Sequence, residues 1–385
     1  MKKKIAILGS TGSIGKTLLD IINIKKFEII LLTANKNYKL LLHQAKIFNV
    51  KNIIIKDYLS FKKALIFNKD KNINIFNSYD VFNKIIRKKL DYVMSCIIGI
   101  DGLKPTFTII KFTKKIAIAN KESIICAWPI IKKELIKNKT EFVPVDSEHF
   151  SIWTEIKNIN PKKIKKIYLT ASGGPLLNHK IKTFRNIDIS SITKHPTWKM
   201  GKKISVDSAT LMNKCFEVIE AKHIFNLNYK QIDILIHPDS YVHAIVMYNN
   251  GFSKIIVHDT TMKIPIFNTI YSNNEVYTHM NLLSLKKLNK LNFQTVMINK
   301  FPLVKFLNSL SERHSMFETI LVSVNDTIVN LFLEKKIKFN KISKLISRYI
   351  YSKKFTKYKS IKPKNIDEII TLNREVRLKI LSQIV

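Results

Sequence analysis

Cysteine is scarce: Cys96, Cys126 and Cys215 are the three in 385 residues, and no C-x-x-C spacing joins them. An odd, scattered set fits a reduced, cytosolic compartment better than a disulfide framework. Acidic residues are few as well, 28 against 66 Lys and Arg, which leaves a formal net charge of +38. Arginine is the rarer part of that excess. The lysines are interleaved with Ile and Asn along nearly the whole chain, as in Lys71-Asn72-Ile73-Asn74-Ile75 and Ile164-Lys165-Lys166-Ile167. A nucleic-acid stripe concentrates arginine and aromatics on one face. The joint excess of Lys, Ile, Asn and Phe reads instead as the codon usage of an AT-rich genome, and no nucleic-acid partner is expected. Diffuse positive charge still speeds the capture of anionic substrates. Long apolar runs are missing too. The run after Met1-Lys2-Lys3-Lys4 stops at Gly9, too short for a signal-peptide core or a bilayer span, and nothing later qualifies. The expected location is the cytoplasm, with no membrane partner.

What is present is ample core material, 46% hydrophobic over a length that suits two or three domains. Ile5-Ala6-Ile7-Leu8 is wholly apolar and ends in glycine, the pattern of a buried parallel strand. Helical spacing follows over 14–23, then strands at 27–33, 52–55, 92–95 and 115–119 with helical stretches between. This alternation predicts a doubly wound, Rossmann-like parallel sheet over 1–145. Strands at 166–170, 232–236 and 255–258 mix with helices over 146–271, which predicts a central α+β catalytic domain. A linker is expected over 272–297. Amphipathic helices at 316–331 and 366–384 predict a C-terminal helical domain over 298–385.

Gly9-Ser10-Thr11-Gly12-Ser13-Ile14-Gly15 follows the first strand and opens a helix. Glycines there let the backbone bend and approach a pyrophosphate, whose charge rests against N–H groups at the helix start. An NAD site usually places an acid after the second strand. Here the strand ends Thr33-Ala34-Asn35-Lys36-Asn37, a cation flanked by amides, which suits a 2′-phosphate and favours NADPH.

Val145-Asp146-Ser147-Glu148-His149 offers two carboxylates at i and i+2, which an extended segment would point the same way toward a hard cation. A solvated acidic turn is the plain alternative unless a third ligand exists. Residues 205–220 offer one if Ser208 caps a helix. Leu211, Met212, Cys215, Phe216, Val218 and Ile219 then share one arc, and Asn213, Lys214, Glu217 and Glu220 the other. Ser208, Asn213 and Lys214 would hold a phosphate, with Glu217 one turn on toward a metal. Ser172-Gly173-Gly174 is a second hydroxyl-and-glycine turn after a strand. Ala119-Asn120-Lys121-Glu122-Ser123 follows a strand, where such sheets meet ligands. His195-Pro196-Thr197-Trp198-Lys199-Met200-Gly201 suits a loop that closes over a ligand, although Trp198 alone reads equally well as a packed core residue.

Taken in order, these segments resemble the 1-deoxy-D-xylulose 5-phosphate reductoisomerase family. The resemblance rests on 9–15, 119–123, Pro144–His149, Ser172–Pro175, His195–Trp198, 200–210, Met212–Lys214 with Glu217, His237–Ser240 and Ala244–Val246. It spans essentially the whole chain. It implies an NADP-dependent oxidoreductase that isomerises and reduces 1-deoxy-D-xylulose 5-phosphate to 2-C-methyl-D-erythritol 4-phosphate, in non-mevalonate isoprenoid biosynthesis. By the same resemblance Thr11, Gly12, Ser13, Ile14, Lys36, Asn37, Asn120, Glu122 and Gly201 contact NADPH. Asp146, Glu148 and Glu217 hold Mg²⁺ or Mn²⁺. Ser172, Ser208, Asn213 and Lys214 form the phosphate pocket. Lys121 and Ser147 meet the reacting end of the sugar phosphate, His195 and Trp198 sit on a closing flap, and the catalytic set is Lys121, Glu148 and Glu217. A homodimer is implied, with 146–271 as the dimerising part. Four positions depart from the pattern: Asn35 for a glycine, Lys194 for an arginine, Cys215 for a glycine, and His258-Asp259-Thr260-Thr261-Met262 for a Gly-x-Pro-Asp-Met turn. None removes an implied ligand.

Overall fold

The computed structural model describes residues 1–193, 198, 201–271 and 284–384. The chain divides into two compact units: one of 1–123, 129–146 and the stretch from Met262, the other of 124–128, 147–261 and the later chain.

The first unit is built on a seven-stranded sheet. Its strands are β1 (Lys3–Leu8), β2 (Phe27–Ala34), β3 (Asn52–Ile55), β4 (Asn74–Phe76), β5 (Tyr92–Ser95), β6 (Lys115–Ile118) and β7 (Glu141–Pro144), in the order β4-β3-β2-β1-β5-β6-β7. Every pairing is parallel. Apolar runs such as Ile5–Leu8 and Ile53–Ile55 are fully buried because helices cover both faces of a parallel sheet. The chain winds outward from β1 to β4, then returns to β5 on the other side of β1. That reversal makes the crevice beyond β1 and β5 the ligand-binding point of such sheets. Register puts Leu8 level with Thr33 and Ser95, Ser95 with Ile118, and Ile118 with Pro144. The segments beginning at Gly9, Asn35, Cys96, Ala119 and Val145 therefore leave from one edge of the sheet. The helix Lys263–Ile270 returns to this unit, where Ile266, Phe267 and Ile270 join its core. The Tyr271 hydroxyl accepts from Asn23 N–H and donates to the Ile21 carbonyl.

The second unit carries β8 (Ile164–Ala171), β9 (Ile232–Ile236), β10 (Val242–Tyr248), β11 (Ser253–Val257) and β12 (Gln294–Thr295), in the order β11-β10-β8-β9-β12. Only β8 and β9 run parallel. β10 is an inner strand with Val242, Ala244 and Val246 buried, and its nearly continuous apolar run lacks the alternation that marks a strand in sequence. β12 is two exposed residues and carries no pattern at all. Helices Ser147–Ile156 and Met212–Phe225 contribute Ile152, Val218 and Phe225 to the core under this sheet. The C-terminal helices Phe317–Leu333, Ile342–Ile350 and Ile366–Ile384 complete the unit. No helix among the described residues is long and apolar enough to cross a membrane. The α/β fold class with a parallel sheet, a mixed α+β region and C-terminal helices is as the sequence led one to expect.

Gly15 is a sharp test of the β1 turn. A Cβ there would lie 2.5 Å from Ser10 Cα and 2.6 Å from the Gly9 carbonyl oxygen, so backbone must move. Gly15→Ala is expected to cost about 1–3 kcal/mol, the range for overpacking, read as a lowered denaturation midpoint. An unchanged midpoint would show that the turn is looser than drawn.

Candidate active site

The glycine turn sits where β1 and β5 diverge. Gly9 has φ of +93°, and a Cβ on it would lie 2.9 Å from the Cys96 carbonyl oxygen. Only glycine combines that backbone with that approach. Gly12 leads into the helix Ser13–Ile21 with no side-chain cap, so the first turn presents main-chain donors rather than a hydroxyl. Lys36 is exposed beyond β2, and the Asn37 side chain caps the helix Tyr38–Ile47 through Leu40 N–H at 3.3 Å. Asn35 keeps a negative φ, so replacing the expected glycine introduces no left-handed strain.

Asn120 is buried and does two jobs at the same sheet edge. Its Oδ1 caps the helix Lys121–Lys137 by accepting from Ser123 N–H at 2.7 Å. Its Nδ2 donates to the carbonyls of Ile97 at 2.6 Å and Gly99 at 2.9 Å, and to Glu122 Oε2 at 3.1 Å. Lys121, the first residue of that helix, donates to the Asp146 carboxylate in a partly buried ion pair.

Asp146 does not pair with Glu148 in the manner expected of an extended segment. β7 stops at Pro144 and a helix starts at Ser147, so Glu148 lies in a helical first turn while Asp146 precedes it. The turn of the chain, not strand alternation, brings the carboxylates together. Ser147 Oγ donates to Glu148 Oε2 at 2.6 Å.

The third carboxylate comes from Met212–Phe225, and here the sequence reading needs one correction. Ser208 is not an N-cap: it lies in a separate short helix, Lys202–Ala209, and Leu211 in a left-handed conformation (φ 59°) breaks the chain before Met212. The polar arc is largely buried. Lys214, Glu217 and Glu220 are buried, because the helix packs against Ser147–Ile156 and Lys202–Ala209 as well as on β8 and β9. Glu217 is 1% exposed. A buried carboxylate must be answered by charge and hydrogen bonds. Lys214 donates to it and, at 2.7 Å, to Glu148 Oε1, while Asn213 Nδ2 donates to its other oxygen at 2.5 Å. Asp146, Glu148 and Glu217 each present an oxygen within 4.8 Å of the others, a set of three hard donors. Such donors fit Mg²⁺ or Mn²⁺ and do not suit a soft metal.

His149, quoted in the 144–149 motif but assigned no role there, places Nε2 2.9 Å from the Glu217 carbonyl oxygen and so ties two helices together.

The Ser172 turn follows β8. Ser172 Oγ accepts from Gly174 N–H at 3.0 Å, and a Cβ on Gly174 would sit 2.5 Å from the Ser208 carbonyl oxygen. That close approach brings Ser172 beside Ser208, with Asn213 and Lys214 following after the Leu211 break. Gly201 is exposed at the start of Lys202–Ala209. Trp198 is half-buried, its ring edge-on to His243 at 6.1 Å, and His243 stacks on His258 at 3.6 Å. His195 and Lys194 lie outside the described residues. The 258–262 turn is organised by Asp259, which accepts from Thr260 N–H at 3.0 Å and pairs with Lys287 at 2.9 Å. Cys215 is buried, and burial raises its thiol pKa and pushes that of Cys96 up to about 12. Neither thiol is an activated nucleophile, which disfavours cysteine-based dehydrogenase chemistry.

Known proteins resemble the chain along essentially its whole length. The family model for 1-deoxy-D-xylulose 5-phosphate reductoisomerase matches residues 5–128, and two models for C-terminal domains of the same enzyme match 142–225 and 258–379. The 1-deoxy-D-xylulose 5-phosphate reductoisomerase of Pelagibacter ubique (strain HTCC1062) is 58% identical over 384 residues, covering 99% of each chain. That of Wolbachia pipientis wMel is 38% identical, over 98% of this chain and 96% of its own. Among solved structures, the Zymomonas mobilis enzyme in complex with NADPH superposes with a TM-score of 0.87 at 29% identity, over 100% of this chain and 99% of that one. A DOX-P reductoisomerase in complex with NADPH, fosmidomycin and magnesium gives 0.92 at 30% identity, over 99% and 98%. The chain belongs to the 1-deoxy-D-xylulose 5-phosphate reductoisomerase family.

Proposed function

We propose that this chain converts 1-deoxy-D-xylulose 5-phosphate to 2-C-methyl-D-erythritol 4-phosphate by metal-assisted rearrangement and NADPH reduction. The observation that carries the proposal is the set of three carboxylate oxygens from Asp146, Glu148 and Glu217, with Lys121 and Lys214 donating into it. Bound there, Mg²⁺ or Mn²⁺ supplies Lewis-acid polarisation of the ketose carbonyl and its neighbouring hydroxyl, and bound NADPH supplies the hydride.

The chain's own residues divide the remaining work. Thr11, Gly12, Ser13 and Ile14 take the pyrophosphate at a helix start, Lys36 and Asn37 the 2′-phosphate, and Asn120, Glu122 and Gly201 further parts of the cofactor. Ser172, Ser208, Asn213 and Lys214 hold the substrate phosphate, anchoring it away from the reacting carbons so that binding energy orients them. Lys121 and Ser147 face the reacting end, and Asn213 and Lys214 fix the rotamer of Glu217. His195 and Trp198 are assigned to a flap that excludes water. Residues 1–145 are assigned to NADPH binding, 146–271 to catalysis and dimerisation, 272–297 to a linker, and 298–385 to a helical region. The state is a cytoplasmic homodimer, supported by family membership, and light scattering at the dimer mass tests the assembly.

NADPH oxidation should require both 1-deoxy-D-xylulose 5-phosphate and Mg²⁺ or Mn²⁺; no turnover with either metal sinks the proposal. Glu217→Gln should take turnover below detection while NADPH still binds, measured by fluorescence titration; lost NADPH binding would mean that Glu217 is misassigned. Lys36→Glu should raise the KM for NADPH roughly ten-fold or more and leave that for NADH little changed, since a 2′-phosphate contact is worth a charge-assisted hydrogen bond.

A further inference from the structure

The helix Lys202–Ala209 carries Ser208, yet it is eight residues long, starts without a side-chain cap and stops two residues before the left-handed Leu211. Little in its own sequence holds it in place. What holds it is the C-terminal helix Phe317–Leu333. Asn325, fully buried, donates through Nδ2 to Asp207 Oδ1 at 2.8 Å. Lys203 pairs with Asp326 Oδ1 at 2.8 Å and with Asp207 Oδ2 at 3.4 Å. Lys203 and Asp207 stand one turn apart on the same helix face, and adjacent residues of the C-terminal helix meet both. Asp207 is 2% exposed, so its charge depends on these two partners' groups being in place.

We propose that Asn325 and Asp326 are positioning residues for the substrate phosphate. They act through Asp207 and Lys203, which set the height and rotation of the helix and so hold Ser208 against the Ser172 turn. The contact that transmits this is already tight, since Gly174 lies under the Ser208 carbonyl with no room for a Cβ. The C-terminal helix thereby belongs to the substrate site without touching substrate. This inference rests on the assignment of Ser172 and Ser208 to the phosphate.

The test is steady-state kinetics on the full chain with 1-deoxy-D-xylulose 5-phosphate, NADPH and Mg²⁺. Asn325→Asp sets two carboxylates face to face. It should raise the KM for the ketose phosphate about ten-fold, with kcat and the KM for NADPH within about two-fold, because misplaced phosphate donors weaken ground-state and transition-state binding alike. The double variant D207N/N325D restores one donor facing one carboxylate and should recover most of the loss, as coupled neighbours do. If N325D does not fold, Asp326→Asn at the more exposed Lys203 end gives the same readout. A kcat loss with both KM values unchanged marks a merely structural role and overturns the proposal, as does failure of the double variant to recover. Ser208→Ala separates the two levels. If it raises the KM while N325D and D326N do not, only the positioning role fails. If Ser208→Ala leaves the KM unchanged, the phosphate assignment fails and this inference falls with it.

Discussion

A carboxylate that is 1% exposed cannot stand alone, and the arrangement around Glu217 follows from that constraint. Lys214 lies one turn before it and Asn213 a residue earlier, so both partners come from the same helix. Lys214 also reaches Glu148, which joins the first turn of Ser147–Ile156 to the first turn of Met212–Phe225. The preceding helix stops at Ala209, and the left-handed Leu211 lets a new helix start at Met212. Buried charge held by opposite charge adds little to stability, because desolvation offsets the attraction.

The parallel sheet solves a different problem, that of bringing distant segments to one place. Its register ends β1, β2, β5, β6 and β7 in a common row, so five loops leave the same edge. The glycine turn occupies the point where the winding reverses, and Asn120 fastens the neighbouring loop by donating to Ile97 and Gly99. The Asn120 amide thus shapes this edge of the sheet through the protein's own carbonyls. Conformational freedom at Gly9 and lack of bulk at Gly15 do the rest.

Much of this was readable in the order of residues. The buried strands of the first unit were legible because a wholly apolar run of four or five residues ending in a turn has few other uses. β10 escaped because its run fits an inner strand and a buried helix equally, and β12 because two exposed residues make no period. That Asp146, Glu148 and Glu217 come together was legible, but for the first two the reason is helix onset at Ser147 and not an extended backbone. Asn325 carried no signal, since a lone Asn in an apolar helix is uninformative until its partner is known.

By itself the sequence determined the local chemistry: a glycine turn at 9–15 between strand and helix, a cation at Lys36 in place of an acid, and carboxylates, amides and hydroxyls of the kind that meet metals and phosphates. These are decided within a few residues, where glycine, charge and hydroxyl act through their own backbone. Only the tertiary structure decided that the polar side of Met212–Phe225 is buried, that Ser208 lies in one helix and Asn213 in the next, and that a C-terminal helix grips Asp207. The burial and the grip depend on which surfaces meet, 66 residues apart for Lys214 and Glu148 and 118 for Asn325 and Asp207, and pairing at such distances leaves no periodicity in either partner alone.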